Sequence, residues 1–158
     1  MKKAILSLVV LLVTVNGYAK TFEFYQTQNI HNKIRLNNKT GELYQIQSDG
    51  LKVKIQSGIT PKSSATRYSL YETKNMWNYI LLDNFSGKLW QCQYSVDANS
   101  HRGCITINNK ALSSTNRSKF TIEPMTSMFQ FYLVNQDSGE MWQFQWNFNE
   151  DYRWIKKL

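Results

Sequence analysis

A twelve-residue phrase occurs three times in this chain, and that repetition limits the fold more than any other feature. It reads LNNKTGELYQIQ at residues 36–47, LDNFSGKLWQCQ at 82–93 and VNQDSGEMWQFQ at 134–145. Each copy runs from an apolar residue through a short polar stretch to Thr-Gly or Ser-Gly. A charge, Leu or Met, an aromatic and Gln-x-Gln follow. The likeness extends upstream, where residues 22–31 align with 68–77 at offset 46, the spacing of Gly41 and Gly87. Residues 120–122 and 127–129 continue the series at offset 52, the spacing of Gly87 and Gly139. Downstream, Val53 and Ile55 match Ile105 and Ile107. The six extra residues of copy two all fall between Gln93 and Ile105. That placement predicts a surface loop at 94–103.

Each copy reads as four strands. The first alternates, at 21–25, 68–71 and 120–122. The second is nearly continuously apolar, at 76–82 and 128–134, which predicts strands covered on both faces. An Asn/Asp-rich hairpin follows, in which Gly41, Gly87 and Gly139 supply the left-handed position. The third strand alternates strictly: Tyr44 and Ile46 point one way, Leu43, Gln45 and Gln47 the other. Tyr44, Trp90 and Trp142 are expected to be interlocking core. The fourth lies at 51–56, 104–108 and 153–157. No helix is expected downstream of residue 19. The predicted fold class is all-β, with three pseudo-repeats of four antiparallel strands in a small propeller-like arrangement. A β-trefoil is the alternative. Three blades close a propeller poorly, so completion by a second chain, a homo-oligomer, is a third arrangement.

Residues 1–19 read as a signal peptide. Lys2 and Lys3 precede an apolar run at 4–15, and Gly17-Tyr18-Ala19 is a small-x-small site, giving cleavage after Ala19. The expected domain is residues 20–158, divided 20–65, 66–117 and 118–158, exported to the periplasm or medium. No later segment is apolar and long enough to be a transmembrane span. Residues 20–158 carry 17 basic and 11 acidic side chains, net +6, and the basic ones are scattered. That pattern suits a solvated surface and gives no specific nucleic-acid site. Cys92 and Cys104 are the two cysteines. Export permits a disulfide. Cys104, beside Ile105, reads as pointing to the face opposite Cys92, unless the longer loop shifts the register by one. Bonded and free states therefore both stay open.

Residues 80–90, ILLDNFSGKLW, resemble the strand–turn–strand core of quinoprotein-type propeller blades. With Asn75-Met76-Trp77 upstream and Trp90-Gln91-Cys92-Gln93 downstream, the whole repeat resembles that of small exported bacterial three-repeat all-β proteins. Copy one departs from the pattern, with Arg35-Leu36-Asn37 in place of Leu81-Leu82-Asp83. Quinone chemistry does not transfer, because no ligand of that cofactor maps onto this chain; the expectation is no cofactor.

Reactive constellations are scarce in the sequence. The histidines, His31 and His101, fall at unrelated repeat positions, without metal-ligand spacing. No G-x-S-x-G elbow or phosphate-binding glycine loop occurs. Asp83, Asp137 and Glu140 sit at or beside hairpins and read as solvated turn residues. No catalytic residue is assigned, and a hydrolase is the least favoured reading. Two sets of ligand-binding candidates remain. Gln45, Gln91 and Gln143 either bind sugar hydroxyls or tie backbone together, the structural role being preferred. His31, Trp77 and Phe129 share one repeat position after the first strand, and Tyr94, His101 and Arg102 belong to the inserted loop. The expected function is non-enzymatic binding of a glycan or protein partner. The alternative is a periplasmic inhibitor or immunity protein acting through the 94–103 loop.

Overall fold

The computed structural model describes residues 20–60, 65–97, 99–113 and 118–158. The expected signal peptide, residues 1–19, lies outside the described residues. The first repeat forms β1 (Phe22–Gln26), β2 (Asn32–Asn37), β3 (Glu42–Gln47) and β4 (Lys52–Gln56). The second forms β5 (Tyr68–Glu72), β6 (Asn78–Asp83), β7 (Leu89–Gln93) and β8 (Gly103–Thr106). The third forms β9 (Phe120–Pro124), β10 (Gln130–Asn135), β11 (Met141–Gln145) and β12 (Trp154–Lys157). A single 3-10 turn at Glu150–Tyr152 is the helical element among the described residues. Each repeat is its own antiparallel meander, ordered as in the chain, and among the described residues no sheet closes into a barrel. The trefoil alternative, which is built round a barrel, does not hold.

Local chemistry sets each central hairpin. The carbonyls of Asn37, Asp83 and Asn135 accept hydrogen bonds from the amides of Gly41, Gly87 and Gly139, at 2.8–2.9 Å. Their side-chain oxygens also accept from the amide two residues on, at 3.0–3.1 Å. The three glycines have φ of 76°, 69° and 74°, which a side chain would strain.

The three sheets stack in chain order. One hydrophobic cluster joins sheets 1 and 2 through Ile34, Leu36 and Leu43 against Tyr68, Leu70, Tyr79, Leu81 and Cys92. The other joins sheets 2 and 3 through Ile80, Leu82 and Leu89 against Phe120, Ile122, Phe131, Leu133 and Trp142. Neither cluster contains residues from both sheet 1 and sheet 3. Every sheet thus has a front, toward the preceding repeat, and a back, toward the following one. In sheet 2 both are covered, and all six residues of β6 are buried.

Among the described residues, sheets 1 and 3 are covered on one side only, which corrects several expectations. β10 is not covered on both faces: Tyr132 and Val134 stay half-buried on the open back of sheet 3. Tyr44 is not core. It lies on the open front of sheet 1, with the Arg35 guanidinium 4.8 Å from its ring centre. Ile46 beside it is half-buried. Trp142 is core, and Trp90 packs against the sheet 1–2 cluster.

The cysteines are bonded, Cys92 to Cys104. They sit directly opposite one another on β7 and β8, with Cα atoms 4.0 Å apart, and so share the front face of sheet 2. The face assignment from Ile105 went wrong for a physical reason. Both faces of sheet 2 are buried, so an apolar neighbour does not identify which face is which.

Candidate functional site

The turns after the first strands and the β3–β4, β7–β8 and β11–β12 connections gather at one end of the stack. The repeated position His31, Trp77, Phe129 lies here, and its placement is built three times over. Asn29 Oδ1, Asn75 Oδ1 and Ser127 Oγ accept from the backbone amides of His31, Trp77 and Phe129 at 3.0, 2.9 and 3.2 Å. The carbonyls of the same three residues accept from the amides of Ser48, Tyr94 and Trp146 at 2.8, 3.1 and 3.1 Å. Thr27 and Thr73 hydroxyls close the turns in copies one and two by donating to the carbonyls of Asn32 and Asn78.

In copies two and three the residue after Gln-x-Gln is aromatic and props the displayed ring from below. Trp77 leans on Tyr94 with ring centres 5.1 Å apart, and Phe129 on Trp146 at 5.0 Å. Tyr94 and Trp146 are almost wholly buried. The Trp146 indole donates to the carbonyl of Met128 at 3.1 Å. Burial pushes the Tyr94 phenol pKa upward. Trp77 is half-buried and Phe129 is 37% exposed. Copy one carries Ser48 at the prop position, so His31 is exposed with no ring beneath it. The outcome is two supported aromatic platforms at equivalent positions and a third position without one. A shallow groove runs from Trp77 past Gln93 and Ser95 to Val96, Asp97 and Ser100. Its counterpart in copy one is lined by Ile30, His31, Gln47 and Ser48.

The other candidates take different places. Gln45 and Gln91 are buried, and each amide donates to the side-chain oxygen of Asn32 or Asn78 across the sheet, at 2.7 and 3.0 Å. Gln143, on the open back of sheet 3, donates to Met125 Sδ and to Gln130 Oε1. The amides tie β2 to β3, β6 to β7 and β10 to β11, and Gln45 and Gln91 are closed to a ligand. Tyr94 is a plug beneath Trp77 and not a loop contact. Arg102 is turned inward, donating to the Ser95 carbonyl at 2.8 Å across the base of the loop. His101 is exposed and meets the ring of Phe148 edge-on at 6.3 Å. That contact brings the inserted loop to the β11–β12 connection, where Phe148 and Tyr152 are also exposed. The sequence reading missed these two residues, because copy three has no counterpart of them in the other repeats.

The acids are dispersed. Asp83 is not a solvated turn residue: it is buried and holds Arg67 through two hydrogen bonds, at 2.8 and 2.6 Å. That pairing raises the Arg67 pKa above its ordinary value. Glu140 is exposed and pairs with Lys157, which holds its carboxyl below the usual range. Asp137 accepts from the Lys119 amide at 3.1 Å. Among the described residues no group of three or more His, Cys, Asp or Glu is placed to hold a metal ion. No described helix is long and apolar enough to cross a membrane. Compared with protein-family models, curated proteins and solved structures, the chain matches none.

Proposed function

We propose that this protein is an exported, non-enzymatic recognition module that binds a glycan across the end of the stack bearing Trp77 and Phe129. The observation that carries this reading is the pair of supported rings, fixed one repeat apart by the same turn hydrogen bonds. A ring held rigid from below loses little freedom when a ligand lands on it. The C–H face of a sugar stacks on such a ring, and the Gln93 amide and Ser100 hydroxyl beside Trp77 suit its hydroxyls. The Cys92–Cys104 bond supports an oxidising, extracytoplasmic setting. Export by the 1–19 segment and kinship with the small three-repeat exported proteins belong to the same proposal.

The test is a glycan array probed with the purified protein, followed by titration of any hit. Trp77→Ala and Phe129→Ala are each expected to weaken binding about tenfold or more, with circular dichroism unchanged. A blank array, or a hit indifferent to both substitutions, removes the reading.

A second reading is favoured by a separate observation. The 94–103 loop is clamped at its base by Cys92–Cys104 and by Arg102, and presents Val96 at 53% exposure. A constrained loop with an exposed apolar side chain is how a protein inhibitor engages an enzyme cleft. Val96→Asp would abolish capture of such a partner from the native envelope, whereas Phe129→Ala, which lies outside the loop, would leave that capture intact.

A further inference from the structure

The front-to-back order of the sheets leaves two faces open, and they correspond to the two halves of the contact already made twice inside the chain. Within the chain, the first aromatic of each repeat sits on the hairpin glycine of the repeat before. The Tyr68 ring lies against Gly41 and the Phe120 ring against Gly87, so close that a Cβ on either glycine would come within 3.1–3.2 Å of the packed side chains. At the ends of the stack this pairing is broken. Gly139 has the same backbone conformation and, among the described residues, nothing within 4 Å of where a Cβ would be. Phe22, the counterpart of Tyr68 and Phe120, is 44% exposed, and Phe24, the counterpart of buried Leu70 and Ile122, is 61% exposed. One end holds an empty seat and the other an unseated ring.

The charged residues fit the same correspondence. Tyr25 reaches the backbone of Leu70, and Tyr71 that of Ile122. Glu123 occupies this position on the open back of sheet 3, and the counterpart of Leu70 and Ile122 is Phe24. The cross-strand neighbour of Phe24 is Arg35, where the inner sheets have Leu81 and Leu133. The apolar contact of the inner junctions is thus replaced at the two ends by an acid on one and a base on the other. A purely solvated cap would have lost the apolar residues as well. Here Phe22, Phe24 and Tyr44 remain on the front, and Met141, at the position of buried Leu43 and Leu89, is 37% exposed on the back.

We propose that the front of sheet 1 docks on the back of sheet 3 of a second copy of this chain. Phe22 of each copy sits on Gly139 of the other, and Glu123 pairs with Arg35. Such a head-to-tail contact either closes or propagates. Closure with two copies gives six blades, inside the range of four to eight in which propellers form, whereas one copy gives three and three copies nine. The assembly is a two-chain ring.

Sedimentation velocity of the full chain, purified after export, tests this. The expected result is a dimer at micromolar concentration that stops at two chains. Phe24→Asp, which spoils the front, and Met141→Arg, which spoils the back, each weaken association about tenfold or more. Mixing the two variants restores a pair, because one keeps an intact back and the other an intact front; this also shows that both fold. Arg35→Glu and Glu123→Arg weaken it singly and recover it together. A monomer at every concentration, a dimer indifferent to both faces, or growth into open chains would each overturn the proposal.

Discussion

A methyl group added at Gly87 would press on the Phe120 ring at 3.1 Å, while one added at Gly139 would touch nothing among the described residues. The backbone penalty is the same at both, about 1–2 kcal/mol for a side chain in the left-handed region. The packing penalty differs, because an overpacked core contact adds roughly 1–3 kcal/mol. Gly41→Ala and Gly87→Ala should therefore each cost about twice what Gly139→Ala costs in urea denaturation of the separated chain. Equal losses at all three would mean that the ring-on-glycine contact carries no energy. The φ requirement at these positions was readable from Thr-Gly and Ser-Gly in a hairpin, but the ring was not. Nothing in the local pattern says that a glycine also serves a residue 27 or 33 positions downstream. Asp83 teaches the same lesson. Its turn position was plain, and its burial against Arg67 depended on a neighbour from outside the repeat phrase.

At the scale of strands, β6, β7 and β8 show how far alternation carries. The existence and order of all twelve strands followed from hydrophobic period and turn residues, and most boundaries moved by only one or two positions. Period two divides a strand into two sets of side chains but does not say which set meets which neighbour. In sheet 2 both sets are buried, and so Cys104 was placed on the wrong side. The bond it makes closes a 12-residue separation within one hairpin. Chain-entropy arithmetic for a loop of that size gives about 3 kcal/mol. Cys92→Ser with Cys104→Ser should lower unfolding free energy by about that amount. The loop 94–103 should become the first site of limited proteolysis, read by mass spectrometry. A loss confined to the loop, with unchanged denaturation midpoint, would show that the bond serves the loop alone.

For the whole molecule, the junctions between sheets are rich in buried phenols. Burial raises the pKa of Tyr25, Tyr68, Tyr71, Tyr79 and Tyr94 above the ordinary tyrosine value. The native state therefore keeps these protons when the unfolded chain, titrating near pH ~10, has lost them. Stability is complete below that pH and falls as pH rises through it. Urea midpoints should be flat from neutrality to about pH 9 and then decline. In a variant whose other tyrosines are replaced by Phe, the phenolate absorbance of these five rings should appear together with unfolding and not before it. Early, graded ionisation would place these rings in contact with water. The repeat phrase made the stack legible, yet the same phrase is core in sheets 2 and 3 and surface at Tyr44. Position in the row of sheets, which no single copy records, decides between them.

Leu81 and Leu82 are consecutive in the chain and belong to separate interiors, one shared with sheet 1 and one with sheet 3. The backbone of β6 is thus a partition wall with a different room on each side. Damage in one room reaches the other only by bending that wall, so the outer sheets are mechanically insulated from each other.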